Sequence, residues 1–448
     1  MTEKTVSCIE RPRAACALSG ALAAMNALPR VVPVIHSALG CGGGLHSAFS
    51  FGAGYLGSGY SGGFAAPTSG VTEREIVFGG AERLAEEIES AIELIDADLF
   101  VVATSCMTEM IGDDVDSVVA GFSNGAANVI AVSTPSFKGN AYAGYEILLD
   151  GIFNRFLPPA AEKDPRLVNI FGVVPAYDPF FRGDLEETAR LLKLLGLRVN
   201  TFFTPDQTFE NITSAPGGAL NVVFSRVYAH GFARRFEKRH GTPYHITDLP
   251  VGAEATERFL LDIGGLMDVD PEIVCEVIER ETREYYDYFS RAADLFCDGD
   301  MKYYSVAATN SNYALPVANF LQKELGWVAL ESFVTDTLED AQKEAITDAF
   351  AAAGLGAPPR FETDTSRIGK TLARLYPENR GQRYFDDITP LYIVGSSLEK
   401  PLALARGGSL LALSYPVYNR LILDRGYAGY RGGLHLLEDA IGTLVAGR

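Results

Sequence analysis

Three cysteines in the first quarter of the chain, Cys16, Cys41 and Cys106, carry the most recognisable chemistry in this sequence. Cys41 lies in a glycine-rich segment that we interpret as a turn, and Cys106 follows an apolar run that we interpret as a strand. The three are too far apart in the chain to form a CxxC clip, so only the fold can bring them together. Thiolates are the soft anionic ligands that iron–sulfur clusters need, and neighbouring glycine lets the backbone approach the sulfides. The alternative is that all three are small, buried hydrophobic residues.

The composition is that of a well-packed globular protein with more than one domain. The chain has 448 residues, of which 47% are hydrophobic and 21% are charged, and it is too long for a single ordinary core. Its formal net charge of −19 argues against a nucleic-acid partner, because a phosphate backbone would be repelled. Six cysteines are too few for a secreted disulfide scaffold.

Neither a membrane span nor a secretory signal is predicted. No run reaches the roughly 18 apolar residues that a membrane-spanning helix needs. The N-terminal segment MTEKTVSC has no apolar core of a signal peptide. We therefore expect a cytoplasmic, reducing environment, in which grouped cysteines bind metal or take part in redox chemistry.

Short β-branched runs alternate with helical patterns along the whole chain, which predicts parallel sheets covered by helices. We predict an α/β fold of three doubly wound, Rossmann-like domains, spanning residues 1–160, 161–298 and 299–448. The predicted strands are residues 31–36, 99–104 and 128–133 in the first domain, 167–174, 198–203 and 219–224 in the second, and 303–308, 328–333, 390–394 and 410–415 in the third. Amphipathic patterns predict helices over residues 82–95 and 183–195.

Two further segments bear on function. Ligands of doubly wound sheets bind beyond the carboxyl ends of the strands, where we expect Cys106 and residues 133–137. Residues 49–70 are rich in Gly, Ser and Tyr and are predicted to form a long loop, which is either a flexible surface loop or a contact surface for a partner. No GxGxxG or Walker-type phosphate loop follows the first strand of any domain, so we do not expect this chain to bind a nucleotide itself.

The segments around the three cysteines resemble the component-1 subunits of nitrogenase and of nitrogenase-like reductases. The shared motifs occur in order and extend over nearly the whole chain. They are CALSGAL from residue 16, VIHSALGC up to residue 41, REIVFGG at residues 74–80, SCMTEMIGDD at residues 105–114, STPSFKG at residues 133–139, VGSSLEK at residues 394–400 and SYPVYNRLILDRGYAGYRGGLHLLEDAI at residues 414–441. The resemblance implies three α/β domains, in agreement with the pattern of strands and helices.

The resemblance also implies that Cys16, Cys41 and Cys106 supply half of the ligands of an iron–sulfur cluster at the interface with an α-type subunit. In nitrogenases this cluster is the eight-iron P-cluster, [8Fe-7S], which relays electrons; a [4Fe-4S] cluster is the alternative for this chain. Ser136 matches a serine that can ligate iron when the cluster is oxidised, and a hydroxyl binds iron well only as an alkoxide. The other interpretation of Ser136 is a helix N-cap or a turn residue after Pro135.

The chain resembles the β-type subunit, because the residues that anchor the catalytic cofactor in α-type chains are missing. Phe224 and Ser225 occupy the place of the anchoring cysteine, and no histidine lies just before the SYPVYN segment. The resemblance implies an α2β2-type heterotetramer with an α-type subunit. It further implies that electrons come from a separate homodimeric, ATP-dependent reductase that carries a [4Fe-4S] cluster.

Phe78 matches an exposed phenylalanine on the surface where that reductase docks, and the alternative is that Phe78 belongs to the core. Glu73 beside it is interpreted as a solvated acid at a helix start. His36 and His46 flank Cys41 in sequence. We interpret both as structural histidines in preference to hydrogen-bond donors to a cluster sulfur.

The remaining cysteines, Cys8, Cys275 and Cys297, match no ligand of the family. Cys275 lies in a helical pattern and is interpreted as an ordinary packing residue.

Two departures from the molybdenum nitrogenase β chain point to the β-type (K) subunit of the nitrogenase-like methylthio-alkane reductases. Only 15 residues precede Cys16, and the segment YLGSGYSGG is unlike the molybdenum enzyme. Such reductases cleave carbon–sulfur bonds and release methanethiol and a hydrocarbon. The alternatives are the β chain of a vanadium- or iron-type nitrogenase and a scaffold for cofactor assembly, although scaffold chains tend to lose cluster cysteines. The B-type subunit of dark-operative protochlorophyllide reductase fits less well, since an aspartate is among its cluster ligands.

Overall fold

A computed structural model of the chain describes residues 9–446, apart from residues 14, 56–65, 123–124, 126, 299–302 and 378–389. The described residues form three separate sheets, and all the strand pairs within them are parallel. The predicted α/β class with parallel sheets is therefore confirmed. Within the ranges just given, no helix is both long and apolar enough to cross a membrane.

The first sheet has the strand order β1-β2-β3. Its strands are β1 (Val31–His36), β2 (Leu99–Thr104) and β3 (Val129–Ser133). Its helices are α1 (Ala17–Ala27), α2 (Leu39–Gly52), α3 (Glu73–Phe78), α4 (Ala81–Leu94), α5 (Cys106–Ile111), α6 (Val115–Ala120) and α7 (Ala141–Leu149), which continues into a π-helical segment, Asp150–Phe156. Every residue of β1 and β2 is buried, as expected for strands covered on both faces.

The second sheet has the order β5-β4-β6-β7. Its strands are β4 (Asp164–Phe171), β5 (Arg198–Asn200), β6 (Gly218–Phe224) and β7 (Tyr244–Thr247). The helices of this part are α8 (Phe181–Leu194), α9 (Phe209–Ser214), α10 (His230–His240), α11 (Gly252–Leu266), α12 (Pro271–Phe289) and α13 (Ala293–Asp298).

The third sheet has the order β10-β9-β8-β11-β12. Its strands are β8 (Tyr304–Thr309), β9 (Val328–Val334), β10 (Arg360–Phe361), β11 (Leu391–Gly395) and β12 (Ser409–Ala412). The helices are α14 (Ser311–Asn319), α15 (Asp340–Ala352), α16 (Ile368–Leu375), α17 (Lys400–Ala405) and α18 (Gly429–Ala446). Because α18 packs on α8, α11 and α12 as well as on β12, the second and third parts share a core, and the predicted domain boundaries stay a prediction.

A buried polar junction ties the three parts together. Asn310, which follows β8, donates to the hydroxyl of Tyr142 on α7 at 2.6 Å and to Oδ1 of Asp178, which follows β4, at 2.7 Å. Burial raises the pKa of Asp178 to about 7, although three N–H groups donate to its carboxyl. Side chains from all three parts of the chain are thus joined by hydrogen bonds at one buried site.

The prediction for the segment around Cys41 was wrong, because the glycine-rich residues form the helix α2 and not a turn. Glycine is a poor helix former, so the composition pointed away from helix. Tertiary contacts reverse that preference: Phe49 is buried against the ring of Tyr177, and a Cβ on Gly52 would meet the Tyr415 ring. The predicted loop at residues 49–70 therefore begins inside α2, and its residues 56–65 lie outside the described residues.

Other strand bounds shift by smaller amounts. The strand predicted at residues 198–203 ends at Asn200, because Phe202 adopts a left-handed backbone with φ +66°. The short strands β7 and β10 were not predicted. Both lie at the edges of their sheets, where strands are short and their sequence pattern is weak.

Two glycines let α1 and α7 touch backbone to backbone. A Cβ on Gly20 would lie 1.7 Å from the carbonyl oxygen of Ala141, and a Cβ on Gly144 would lie 1.7 Å from that of Ala17. Cys16, the N-cap of α1, forms a β-bridge with Asn140, the N-cap of α7. The helix contact therefore fixes the position of Cys16.

We expect Gly144→Ala to lower the Tm by several degrees, because the new methyl group forces α1 and α7 apart at a cost of about 1–3 kcal/mol or more. The matched control is Gly265→Ala on α11, where an added Cβ meets no atom within 4 Å and improves helix propensity. Differential scanning calorimetry measures both. Equal Tm values for the two variants would contradict the close contact.

Candidate functional site

The carboxyl ends of the first sheet bring the predicted site residues together. The parallel register pairs His36 with Thr104 and Thr104 with Ser133, so the last residues of all three strands lie in line. Within five residues of these ends the chain reaches Cys41, Cys106 and Ser136. As predicted for a doubly wound sheet, the candidate ligands lie beyond the strand ends.

Cys106 and Ser136 are in direct contact. The Cys106 thiol donates to Ser136 Oγ at 3.0 Å, and the Ser136 N–H donates to Cys106 Sγ at 3.1 Å. Ser136 begins a 3₁₀ turn, Ser136–Lys138, whose N-cap is Pro135, so the Ser136 hydroxyl does not act as the cap. Its partner is the sulfur instead.

Cys106 is the first residue of α5, and that helix is locked onto the sheet. Glu109 of α5 accepts hydrogen bonds from the hydroxyls of Thr104 and Ser133, the last residues of β2 and β3. The side chain of Glu109 thus holds both strand ends in place under the thiol. Glu109 was not predicted as a site residue, although it lies in the SCMTEMIGDD motif; its position three residues after Cys106 was the available signal.

The three sulfurs influence one another. Cys41 is exposed at the surface, and Cys16 and Cys106 are half-buried. Partial burial of the sulfur raises the pKa of Cys41, the neighbouring Cys16 and Cys106 raise it further, and a hydrogen bond with Ser37 lowers it. Because such charges act only at short range, the fold has brought the three thiols together. Three neighbouring thiolates repel one another, and a bound cation would relieve that repulsion.

The trio does not form a mononuclear site. In the part of the chain that the structure describes, no three His, Cys, Asp or Glu side chains lie close enough together to hold one metal ion. The donor set of three soft sulfurs and one hydroxyl suits a cofactor with several metal ions that take separate ligands. Because the sulfurs reach the surface, such a cofactor would be accessible to ligands from a second chain.

Large apolar side chains that neighbour the candidate ligands in sequence are exposed. Leu39, Met110 and Phe137 are 71%, 80% and 65% exposed, and each lies within four residues of Cys41, Cys106 or Ser136. We call these three residues the apolar collar. Clustered exposed apolar side chains mark contact surfaces more often than isolated ones do.

Phe78 lies at the end of the short helix α3 and is 83% exposed, so the alternative that it belongs to the core does not hold, and its role in docking stays a prediction. Val77 beside it is 72% exposed. A capping box between Thr72 and Glu75 stabilises the start of α3. Glu73 is exposed at the first position of the helix, as predicted for a solvated acid.

The two histidines near Cys41 bond to oxygen atoms. His36 is fully buried, with Nε2 2.9 Å from Asp113 Oδ2 and Nδ1 2.9 Å from Ser69 Oγ. His46 Nδ1 lies 3.3 Å from Ser50 Oγ. Burial lowers the pKa of His36, and Asp113 partly opposes this. The structural role proposed for both residues agrees with these contacts, whereas Asp113 and Ser69 had not been predicted.

Of the cysteines without an assigned role, the structure describes the side chain of Cys275 alone. Cys275 lies on α12, as predicted, but its side chain is exposed and not packed. Cys8 and the side chain of Cys297 lie outside the described residues.

The fold is an α/β arrangement of three parallel sheets, and the site is a surface set of thiols at the end of the first sheet. A family model for nitrogenase component 1 type oxidoreductases matches residues 16–445, and the chain belongs to this family.

Individual relatives are distant. The chain is 25% identical to a nitrogenase molybdenum-iron protein beta chain of Sinorhizobium fredii (strain NBRC 101917 / NGR234), over 97% of this chain and 84% of the relative. It is 24% identical to the nitrogenase iron-molybdenum cofactor biosynthesis protein NifE of Clostridium pasteurianum, over 73% of each chain. The solved structure of nitrogenase Cp1 at pH 6.5 superposes with a TM-score of 0.81 and 18% identity, covering 100% of this chain and 95% of that one; at this identity the superposition shows the common fold alone.

We expect the double variant Met110→Glu, Phe137→Glu to fold normally, because both side chains are exposed, and to lower the hydrophobic-dye fluorescence of the purified chain. The reason is that the two charges interrupt the exposed apolar surface of the collar. The control is Leu94→Glu with Leu404→Glu, two residues that are 81% and 71% exposed away from the collar. An equal loss of dye binding in both double variants would show that the collar binds the dye no better than other exposed apolar residues, which would contradict the prediction.

Proposed function

We propose that this chain is the β-type subunit of a nitrogenase-like reductase and that it holds half of an interfacial [8Fe-7S] cluster, with [4Fe-4S] as the alternative. The observation that carries the proposal is the convergence of Cys16, Cys41 and Cys106 on one surface patch within a chain of this family. The cluster would supply one-electron relay chemistry between a reductase and a catalytic cofactor in a partner subunit.

Ser136 would act as a further ligand when the relay is oxidised. Its hydroxyl already lies 3.0 Å from Cys106 Sγ, so it reaches the same metal neighbourhood without a change of backbone. An alkoxide is a harder ligand than a thiolate and suits more oxidised iron. Loss of an electron would therefore be coupled to loss of the Ser136 proton.

The apolar collar supports an α-type partner over the thiols. A chain that leaves Leu39, Met110 and Phe137 in water gains free energy when a partner covers them. The same partner would bring the missing ligands. The proposed assembly is an α2β2-type heterotetramer.

The exposed end of α3 supports docking of an ATP-dependent reductase. Phe78 and Val77 form an exposed apolar tip, and an aromatic residue of this kind is a frequent anchor of protein contacts. The tip ends α3, and α3 packs on α5, the helix that carries Met110 of the apolar collar, so the reductase would dock beside the α-type partner.

The proposed substrate class is methylthio-alkanes, reduced on a cofactor of the α-type partner. The reaction R–S–CH3 + 2 e⁻ + 2 H⁺ → R–H + CH3SH breaks one carbon–sulfur bond and takes both electrons from the relay. The segment YLGSGYSGG, one of the two features on which this choice rests, lies mostly outside the described residues. A nitrogenase that reduces dinitrogen is the first alternative, favoured by the likeness to molybdenum-iron beta chains. An assembly scaffold is the second, favoured by the likeness to NifE, and the retained cysteine trio argues against it.

The test is to purify the complex with its native partner without oxygen, measure its iron and record Mössbauer and EPR spectra. A P-type signature that oxidises reversibly supports the relay, and a lone [4Fe-4S] signal favours the scaffold or a simpler reductase. With the native reductase and ATP present, methanethiol formed from methylthio substrates supports the proposed reaction. Ammonia formed from dinitrogen with no methanethiol would establish the nitrogenase alternative.

We expect Cys16→Ala, Cys41→Ala and Cys106→Ala each to strip or shrink the cluster, because each removes a thiolate ligand. Iron per complex and the Mössbauer spectrum measure this. Cys275→Ala is the matched control, since Cys275 lies on α12 away from the site, and it should keep all of its iron. Equal iron in all four variants would rule out the ligand assignment.

We expect Phe78→Ala to weaken binding of the reductase by on the order of tenfold or more, because it removes an exposed aromatic anchor. Isothermal calorimetry against the native reductase measures the Kd. Leu94→Ala, equally exposed at the end of α4, serves as the control. An unchanged Kd for Phe78→Ala would place the docking surface elsewhere.

A further inference from the structure

His36 lies between the exposed helix α3 and the residue that begins α5. It is the last residue of β1 and is fully buried. Its ring faces the loop that follows α3, whereas its backbone carbonyl faces the start of α5. Its two sets of contacts are separate.

The ring contacts form a fully paired network. The Asp113 side chain is 4% exposed, and as a carboxylate it can only accept, so His36 Nε2 carries the proton and donates to it. Nδ1 then accepts from the Ser69 hydroxyl, whose oxygen in turn accepts the Ser37 N–H at 3.2 Å. One tautomer of a neutral imidazole satisfies all of these groups.

Asp113 continues the network to the loop after α3. Its other carboxylate oxygen accepts the Gly80 N–H at 2.7 Å. A Cβ on Gly80 would lie 2.7 Å from Asp113 Oδ2 and 3.0 Å from His36 Cε1, so the loop packs directly against the pair. Gly80 lies two residues after Phe78, which places the pair immediately behind the proposed docking tip.

The backbone carbonyl of His36 accepts hydrogen bonds from the start of α5. Its carbonyl oxygen accepts the Ser105 N–H at 3.1 Å and the Thr108 hydroxyl at 2.9 Å. Ser105 is the N-cap of α5, and the next residue is Cys106. His36 therefore contacts the loop after Phe78 through Asp113 and the start of the helix that carries Cys106 through its carbonyl, in addition to the direct packing of α3 on α5.

We propose that His36, together with Asp113, is a positioning residue that fixes the docking tip relative to Cys106, so that a bound reductase can pass its electron to the relay. In that step the reduced [4Fe-4S] cluster of the reductase loses one electron and the oxidised relay cluster gains it. This inference rests on the proposed function. It adds a connection inside this chain between its two contact surfaces.

Two variants break the connection from different sides. Asp113→Ala removes the carboxylate that joins His36 to Gly80. Gly80→Ala inserts a methyl group against the same pair, and because Gly80 has φ −104°, the new side chain causes no backbone strain. Gly265→Ala, in open space on α11, is the matched control for a glycine substitution.

Asp113→Asn is the conservative rescue. Its amide oxygen can accept the Gly80 N–H, and its amide nitrogen can donate to His36 Nε2 once His36 adopts the other tautomer. His36 Nδ1–H then donates to Ser69, whose hydroxyl turns to the Ser37 carbonyl 3.4 Å away. The hydrogen bonds that join His36 to Gly80 are kept although the carboxylate charge is removed. The variant therefore tests whether the hydrogen bonds or the charge of residue 113 matter for electron transfer.

The experiment uses the anaerobic complex with its native α-type partner and its native reductase. The relay is first oxidised with a dye. It is then reduced either by dithionite or, in a single turnover, by saturating reductase with ATP, and both rates are followed by stopped-flow absorbance. Iron content and EPR spectra of each variant are recorded first.

We expect Asp113→Ala and Gly80→Ala to keep their iron, their EPR spectra and their rate with dithionite. Their rate with saturating reductase should fall on the order of tenfold, the usual size of coupling between two sites. Asp113→Asn and Gly265→Ala should remain close to the unsubstituted complex.

Three results would overturn the inference: unchanged rates with the reductase, an equal loss with dithionite or of iron, or no rescue by Asp113→Asn. The second would make the pair a purely structural support of the cluster. Failure of the proposed function looks different, because the unsubstituted complex itself would then lack iron or accept no electron from the reductase, and the inference would fall with it.

Discussion

The three strands of the first sheet end in register, and the site depends on that alignment. His36, Thr104 and Ser133 stand side by side at the carboxyl edge, and each following segment has only a few residues in which to turn into its helix. Because β1 and β2 are buried along their whole length, a slip of register would exchange the side chains on the two faces of the sheet and disrupt their packing. The core of the sheet therefore determines where Cys106 and Ser136 can lie, long before any metal binds.

The position of Cys16 at the same surface is set by helix packing and not by the strand register. Cys16 precedes the first strand, and its position comes from the contact of α1 with α7 through Gly20 and Gly144. Two small residues allow the helix backbones to touch, which no pair of larger side chains would permit. Helix packing and sheet register thus converge on one surface, and neither alone would assemble the trio.

The strands were predictable because buried parallel strands are short apolar runs, and β1 and β2 have the predicted bounds. The cysteine trio was recognisable from motifs whose order matches the family. The helix around Cys41 was not predictable from composition, since its glycines disfavour helix and the contacts of Phe49 and Gly52 come from distant residues. Asp113 was missed for a related reason: its partner His36 is remote in sequence, and one acidic residue in a motif does not reveal which side chain it pairs with.

A surface that combines exposed thiols with exposed apolar side chains is unfavourable for a solitary chain. The thiols would repel one another once ionised, and Met110 and Phe137 would remain in water. A partner that brings both further ligands and an apolar surface removes both costs in a single contact, so cluster binding and subunit association would be thermodynamically linked. The pair of His36 and Asp113 lies just behind this surface, with both side chains hydrogen-bonded and almost fully buried. It can therefore keep its geometry whether or not the partner is bound.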